Sequence, residues 1–317
     1  MLTRTHILTV GVASLALLGL TACSDATIPV ANPDTTSQPD VVSSEAAVAT
    51  TSKLIDAIEP DDDLVDLRGS KFDTIQVGST LFAPPIAYLE GDVPTGVEPD
   101  LINAIGKKLD AEIVINNTAF PTLITGLQSG RYDLLMSGLS DTEARRELID
   151  FVDYDSDDIA FYVQKGNPQK VTGDPLSLCG KTIAAIQGGS AAAWAQEFSD
   201  SECPSDKPAT VTTLADFATA LNNLQTGRAD VTLTSKLIAP YTAATAYNGE
   251  AYDAVLPTEP ISPTLAGIGV SKENTDLRDA VQKALQALID DGTYGKILKA
   301  WALDQGAIEN ATINDGK

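Results

Sequence analysis

The sequence predicts an α/β protein with two lobes, each built on a mostly parallel sheet flanked by helices. About 250 residues follow residue 70, enough for two modest lobes. Short apolar strand patterns alternate there with helical patterns, as expected when crossover helices join parallel strands. A seven-residue pattern also recurs, because LQSGRYD at 127–133 is echoed by LQTGRAD at 224–230. The echo favours two related lobes, with chance or shared turn chemistry as the alternative.

The N-terminal segment is typical of an export signal. Arg4 precedes an apolar run at 7–20 that is short for a membrane-spanning helix, and the run ends in LTAC at 20–23. This ending resembles a bacterial lipobox. The resemblance implies removal of residues 1–22 and lipid attachment to Cys23, which would anchor the protein at the extracytoplasmic face of the bacterial cell membrane. A secretory signal with an incidental cysteine is the alternative.

Residues 23–69 are predicted to form a disordered acidic tether between that anchor and the globular part. Ser, Thr, Pro, Ala and Asp dominate the stretch, and only a short helical pattern appears, near 54–58. The whole chain carries a formal net charge of −23. Because such a surface repels phosphate groups and no basic stripe is present, nucleic acid is not an expected partner.

The segment 120–146 predicts a helix, a strand and a turn that faces a ligand. An amphipathic helix over 120–129 precedes a buried strand at 134–136, which ends in a small polar turn. Ser140 and Glu143 have the spacing of a capping box, so a second helix is predicted with Arg145 in its first turn. Arg145 would then lie beyond the carboxyl end of a strand, where open α/β sheets bind ligands. A solvated arginine paired with a neighbouring Glu is the alternative.

Two crossings between the lobes are predicted, because strand-like runs at 159–164 and 254–256 fall between the two sets of patterns. Two crossings form a hinge, so closure over a ligand is the expected motion. The chain then divides into lobe 1 at 70–163 plus 263–317 and lobe 2 at 164–262. Further strands are predicted at 75–78, 113–115, 183–186 and 231–233.

The chain has three cysteines. If lipid takes Cys23, then Cys179 and Cys203 remain, and an even pair in an exported chain is most simply a disulfide. The competing interpretation, a metal or catalytic thiol pair, lacks the spacing of a zinc site. The sole histidine, His6, lies in the predicted signal. Triad chemistry is therefore excluded, whereas carboxylate-only enzymes are not.

Acidic residues alternate at Asp153, Asp155 and Asp157, like the start of a calcium loop. Asp158 stands where that loop requires glycine, and Gln164 stands where it requires a bidentate Glu. We therefore expect no metal and no cofactor.

A larger pattern combines LxxGxxD, a strand, a Ser/Gly turn and TxxR, and it includes Leu127, Gly130, Asp133, Thr142 and Arg145. It resembles the family-3 extracellular solute-binding proteins, the amino-acid receptors of ABC importers. The match extends to GVEPDLINAIGKKLDAEIVI upstream and to DLRDAVQKALQALIDDGTYGKILKAWAL downstream. The resemblance implies a type II periplasmic-binding-protein fold, with two lobes joined by a two-strand hinge. It also implies an ABC transporter permease as partner and a small-molecule solute as ligand.

The resemblance further implies that Arg145 clamps the ligand's α-carboxylate, because a planar guanidinium gives two parallel charge-assisted hydrogen bonds. The family has an aromatic platform residue in a motif of the form YAP or YPPF. If LFAPP aligns on the YAP form, Phe82 is the platform residue; if it aligns on the YPPF form, Ala83 takes that position. An ordinary core phenylalanine is the alternative for Phe82 and for Phe120. The other residues implied to contact the ligand are Phe120, Ser137, Gly138, Ser140, Gly189, Ser190 and Ser235.

Ser235 departs from the family pattern, since receptors of α-amino acids usually hold the ammonium with an Asp there. Asp157, Asp158 and Glu259 are the candidates to supply that charge; otherwise the ligand is not a standard α-amino acid. We expect a binding protein rather than an enzyme, with a small carboxylate-bearing, amino-acid-like solute. The alternatives are an enzyme similar to cyclohexadienyl dehydratases, with a cleft carboxylate as general acid, and a sensory lipoprotein.

Overall fold

A computed structural model describes residues 27–30 and 40–316. The predicted signal peptide and Cys23 lie outside the described residues. Within those residues, no helix combines the length and apolar character that a membrane span requires. The described chain begins with β1 (Thr27–Val30), β2 (Asp40–Ser43), α1 (Ser44–Asp56) and α2 (Asp62–Arg68).

Two lobes follow, and the chain visits the first lobe twice. The first visit contains β3 (Thr74–Ser79), β4 (Tyr88–Glu90), β5 (Val93–Thr95), α3 (Val97–Lys108), β6 (Glu112–Asn117), α4 (Leu123–Gln128), β7 (Leu134–Leu135), α5 (Glu143–Arg146) and β8 (Asp150–Asp157). The second lobe contains β9 (Ile159–Gln164), β10 (Thr182–Ile186), α6 (Ser190–Ser201), β11 (Thr210–Leu214), α7 (Phe217–Gln225), β12 (Val231–Ser235), α8 (Ala239–Thr245) and β13 (Tyr252–Val255). The return to the first lobe consists of β14 (Thr264–Val270), α9 (Thr275–Asp290) and α10 (Thr293–Ala300).

Each lobe has a five-stranded mixed sheet. The strand orders are β6-β3-β7-β14-β8 in the first lobe and β11-β10-β12-β9-β13 in the second. The first three strands of each order pair in parallel, as predicted, whereas the last two pair antiparallel with their neighbours. The antiparallel strands flank the two crossings between the lobes, so the sheets are parallel only on the side away from the crossings.

The sequence echo marks equivalent positions in the two lobes. Asp133 Oδ2 accepts a hydrogen bond from the Gln76 N–H at 2.8 Å, and Asp230 Oδ2 accepts one from the Thr182 N–H, also at 2.8 Å. The glycine of each copy has a φ of 71°, the left-handed conformation that ends the preceding helix. The two copies therefore perform the same task, in which a carboxylate fixes the start of the neighbouring strand.

The crossings lie at Asp158 and between β13 and β14. The runs 159–164 and 254–256, predicted to lie between the lobes, instead contribute β9 and β13 to the second sheet. The first crossing is therefore earlier than the predicted boundary after residue 163. The Asp158 carboxylate joins both crossings, because it accepts hydrogen bonds from the Ile261 N–H at 3.2 Å and the Ser262 N–H at 2.8 Å.

Helices α1 and α2 occupy part of the segment 23–69 that was predicted to be a disordered tether, so that prediction is wrong for residues 44–56 and 62–68. The short helical pattern near 54–58 overlaps the end of α1. The Ser43 hydroxyl accepts a hydrogen bond from the Ala46 N–H and caps α1, and Asp61 caps α2. Helix α1 packs against α3 and α10, and α2 packs against α9. The composition of small and acidic residues concealed these helices, since few large apolar side chains such as Ile55 mark the buried face.

Cys179 and Cys203 form the predicted disulfide, with their Cα atoms 5.4 Å apart. It joins the loop before β10 to the residues after α6 in the second lobe. The two cysteines are separated by 24 positions in the sequence, so the bond closes a short loop. By the chain-entropy relation, such closure stabilises the lobe by about 3 kcal/mol.

Candidate functional site

A cleft between the two lobes gathers the predicted ligand residues. The space between its walls, including the part open to solvent, is about 1120 Å³. The cleft lies at the carboxyl ends of β3, β7, β10 and β12, where parallel strands present ligands with turns and helix starts. All nine residues that the sequence assigned to the site line it: Phe82, Phe120, Ser137, Gly138, Ser140, Arg145, Gly189, Ser190 and Ser235.

The turn after β7 places Arg145 at the junction of the lobes. The predicted capping box is wrong, because Thr142 is the residue before α5 and no side chain caps this short helix. The Ser140 hydroxyl is instead hydrogen-bonded to the Ser190 hydroxyl of the second lobe at 2.9 Å. Arg145 Nη1 donates to the Ser140 carbonyl and Nη2 donates to the Gly188 carbonyl, each at 2.8 Å. The guanidinium therefore contacts both lobes.

The charge of Arg145 has no acidic partner within the part of the chain that the structure describes, since no carboxylate there lies within ion-pair distance. Burial lowers the pKa of Arg145 to about 10, so the guanidinium stays protonated at neutral pH. The central carbon of the Arg145 guanidinium, Cζ, lies 5.7 Å from the centroid of the Phe120 ring. The alternative of a solvated helix arginine paired with Glu does not describe this residue.

Arg146 has a different task from Arg145. Its Nη1 donates to the carbonyls of Asn314 and Gly316 at 2.8 and 2.6 Å, and its Nε lies 3.6 Å from an oxygen of the buried Asp141. These contacts hold the C-terminal segment against the first lobe. Of the two adjacent arginines, Arg145 is therefore the one that lines the cleft.

Aromatic side chains line the cleft from both lobes. The Phe82 ring meets the Phe217 ring edge to face, with centroids 6.2 Å apart. Ala83 is buried in the turn beside it, where its N–H donates to the Ala87 carbonyl, and it is not among the lining residues. The geometry therefore favours the alignment that uses Phe82. Sequence reasoning missed Phe217, whose position at the start of α7 resembles that of many core residues.

Five carboxyl groups line the cleft. Asp158 is engaged at the crossings, and Asp216 caps α7 by accepting a hydrogen bond from the Thr219 N–H at 2.7 Å. The other three are Glu98 at the start of α3, and Asp155 and Asp157 on β8. Burial raises the pKa of Glu98 to about 7 and that of Asp157 to about 6. Burial, with the nearby charges of Asp157 and Glu98, raises the pKa of Asp155 well above its ordinary value. Low-dielectric surroundings disfavour an unpaired negative charge, so burial shifts each of these carboxyl groups toward its neutral form.

Glu98 Oε1 accepts hydrogen bonds from the Gly138 N–H at 2.6 Å and from the Tyr154 hydroxyl. In contrast, Glu98 Oε2 and Asp155 Oδ1 are buried without a hydrogen-bond partner among the described residues. Leaving such an oxygen unmatched costs about 1–3 kcal/mol, more for a charged group. Sequence reasoning missed both residues as parts of the site.

A β-bulge explains why Asp155 was missed. Strand β14 pairs with β8 so that Ala266 lies opposite Asp155 and Gly267 lies opposite Asp153, with an irregularity between them. The insertion of one residue reorients the strand. Asp155 and Asp157 line the cleft, whereas Asp153 accepts a hydrogen bond from the Thr312 hydroxyl outside it. The alternation of acids was visible in the sequence, but the bulge was not.

Asp157 is the carboxylate that lies beside Ser235. The Leu237 N–H donates both to the Ser235 hydroxyl at 3.1 Å and to Asp157 Oδ1 at 3.3 Å. The nearby Ser235 hydroxyl also lowers the pKa of Asp157 and so offsets part of the rise that burial causes. Asp158 is engaged at the crossings, and Glu259 is not among the lining residues. Of the three candidates for the charge that Ser235 lacks, Asp157 has the suitable position.

Two similar lobes, a double crossing and a charged cleft between them define the class of two-lobed solute-binding proteins. The chain belongs to the bacterial extracellular solute-binding proteins of family 3, whose family model matches residues 75–304. This membership confirms the family resemblance of the sequence.

Known proteins support both the family and the fold. The arginine-binding protein ArgT of Corynebacterium glutamicum is 27% identical over 235 residues, which are 73% of this chain and 75% of that protein. A structure of an ancestral arginine-binding protein bound to arginine is 28% identical with a TM-score of 0.65, and the match covers 72% of this chain and 98% of that one.

Another similar structure is an ancestral amino-acid-binding protein described as a precursor of cyclohexadienyl dehydratase. It is 26% identical with a TM-score of 0.64, over 75% of this chain and 99% of that one. Together these neighbours confirm the type II periplasmic-binding-protein fold.

Proposed function

We propose that this protein is the substrate-binding protein of an ABC importer, anchored by lipid at Cys23, and that it binds a small amino-acid-like solute between its lobes. Arg145 holds the solute's carboxylate, and Asp157 holds its ammonium in place of the Asp that Ser235 replaces. The hydroxyls of Ser140 and Ser190 flank the carboxylate. Phe82, Phe120 and Phe217 pack against the rest of the molecule.

The observation that carries this proposal is the uncompensated charge of Arg145 at the lobe junction. A guanidinium has five N–H donors, and here two backbone carbonyls accept from it without neutralising it. A carboxylate supplies the missing charge and can accept two parallel hydrogen bonds. Because the Gly188 carbonyl belongs to the other lobe, a carboxylate that engages Arg145 also contributes to closure. Relatives named for amino-acid binding agree with this ligand class.

The test is isothermal titration of the purified protein with a panel of amino acids and their decarboxylated analogues. Arg145→Ala should abolish binding of the preferred amino acid. Arg145→Lys should weaken it by about 10- to 100-fold, since lysine keeps the charge and loses the planar fork. Arg131→Ala is the matched control, because it removes an exposed arginine of the same lobe. Equal affinity for the amino acid and its decarboxylated analogue would overturn the assignment of Arg145.

The lipid anchor and the importer partnership need tests of their own. Cys23→Ser should abolish incorporation of a labelled fatty acid and release the protein from the membrane fraction. Cells that make the Cys23→Ser protein should take up the ligand more slowly than cells with the native chain at equal expression. Unchanged membrane attachment in the variant would contradict the anchor at Cys23.

A second candidate function has one observation in its favour. The pKa of about 7 places Glu98 in the range of a general acid at neutral pH, and Glu98 lines the cleft. An enzyme similar to cyclohexadienyl dehydratase would use such a carboxyl to protonate a leaving hydroxyl. Turnover of prephenate or arogenate by the purified protein, abolished by Glu98→Gln, would favour the enzyme over the receptor.

A further inference from the structure

Among the described residues, the cleft has more acidic groups than the one guanidinium that lines it, that of Arg145, and one bound ammonium would balance. Glu98, Asp155 and Asp157 line the same cleft as Arg145, together with Asp158 and Asp216, whose carboxylates accept backbone hydrogen bonds at the crossings and at the start of α7. A zwitterionic amino acid contributes one carboxylate, which Arg145 matches, and one ammonium, which Asp157 matches. Glu98 and Asp155 would then remain without a counter-charge.

We propose that the solute has a net positive charge and that its second cationic group binds between Glu98 and Asp155. The ligand class is a basic amino acid, with a guanidinium or ammonium at the end of an aliphatic chain. The inference rests on the proposed receptor function and adds the side-chain chemistry of its ligand.

Two features of the structure together point to a cation at this place. The first is burial, since Glu98 is 1% exposed and Asp155 is 6% exposed. The second is the pair of oxygens, Glu98 Oε2 and Asp155 Oδ1, that no group in the described chain satisfies. Buried charges in proteins are paired, so an N–H donor that carries a positive charge restores both the hydrogen bonds and the charge balance.

Among the described residues, the other groups that interact with this pair include no cation. Glu98 faces the Tyr154 hydroxyl and the Gly138 N–H, and Asp155 faces Asp157, Glu98 and the more distant Tyr294. These neighbours are neutral or acidic. Apolar cleft residues, among them Ile86 and Phe82, lie along the walls and can pack on an aliphatic chain. The positive end of a ligand would therefore meet two carboxyl groups here, with apolar walls beside its chain.

The experiment compares arginine with citrulline, which has nearly the same shape and a neutral end group. Isothermal titration at pH 8 should give the native protein an affinity for arginine about 10- to 100-fold above that for citrulline, as expected for hydrogen bonds to a charged group. Asp155→Asn should reduce the affinity for arginine by a similar factor and leave that for citrulline unchanged. Asp153→Asn, on the same strand but outside the cleft, is the matched control and should change neither.

A proton measurement separates a cation from a neutral group that merely fits the cleft. At pH 7, arginine binding should release protons, because the ligand's charge favours ionised Glu98 and Asp155, and the heat of binding should vary with the ionisation enthalpy of the buffer. Citrulline binding should release none. Thermal unfolding verifies that each variant is folded, and Glu98→Gln replaces Asp155→Asn if the latter does not fold.

The outcomes separate this inference from the proposed function. Binding of citrulline that depends on Arg145, with no preference for arginine, overturns the cation site and leaves the receptor in place. A preference for arginine that survives both Asp155→Asn and Glu98→Gln also overturns it. Binding of no amino acid overturns both proposals.

Discussion

Glu98→Gln should stabilise the ligand-free protein above pH 7 and have little effect at pH 4. Glu98 is 1% exposed, and burial raises its pKa from the ordinary 4.5 to about 7. Glutamine is neutral at every pH, has nearly the same shape, and keeps an oxygen that can accept from the Gly138 N–H. The variant therefore removes the buried charge and little else.

The magnitude follows from the pKa difference. Below pH 4.5 the carboxyl is protonated in both the folded and the unfolded states, so burial adds no charge penalty. Between pH 4.5 and 7 the unfolded chain ionises and the folded protein does not, so stability falls as the pH rises. Above pH 7 the penalty is complete. One pKa unit corresponds to 1.36 kcal/mol, so the full difference is about 3 kcal/mol.

The assay is urea unfolding of the native protein and of Glu98→Gln at pH 4, 6 and 8. Trp301 in the first lobe and Trp194 in the second report unfolding by fluorescence. At pH 8 the variant should have a free energy of unfolding about 3 kcal/mol higher, equivalent to a rise in melting temperature of roughly 6 to 12 °C. A difference that is independent of pH, or a variant less stable at pH 8, would refute the reasoning that Glu98 is a destabilising buried charge.

Three further predictions concern the scaffold. Asp158→Ala should destabilise the hinge by about 1–3 kcal/mol, because the Ile261 and Ser262 N–H groups of the second crossing lose their acceptor. Faster hydrogen exchange of these two amides would show the effect. Replacing Cys179 and Cys203 with serine should lower the free energy of unfolding of the second lobe by about 3 kcal/mol in urea, and an unchanged midpoint would contradict this. Asp133→Ala and Asp230→Ala should each cost about 1–3 kcal/mol, the first detected by the tryptophan of lobe 1 and the second by that of lobe 2.

Local patterns account for the parts of the site that the sequence predicted. The turn after β7 and the turn after β10 each combine small residues with a strand end, and such combinations are visible within about ten residues. For that reason Ser140, Arg145 and Ser190 were placed together in one cleft. The capping box failed because α5 is too short for it, and Ser140 bonds instead to the other lobe.

The missed parts depend on groups that are distant in sequence. Glu98 has the sequence signature of an ordinary acidic residue in the first turn of a helix, where a negative charge is favourable. Only the tertiary fold buries it, by bringing it beside Tyr154 of β8 and the turn at Gly138. Most of α1 and all of α2 were missed for a related reason, since their small side chains become a buried face only where the first lobe covers them.

The sequence by itself determined the α/β class, the division into two lobes, the disulfide and the family, because periodicity, cysteine parity and short motifs are local properties of the chain. It also placed a guanidinium at a strand end. The tertiary structure decided where the lobes cross and how the β8 bulge places Asp155 and Asp157 in the cleft that Arg145 also lines. The charge balance of a cleft is a sum over side chains from both lobes, and burial sets the energy of each charge, so the fold must bring them together before the ligand's charge can be inferred.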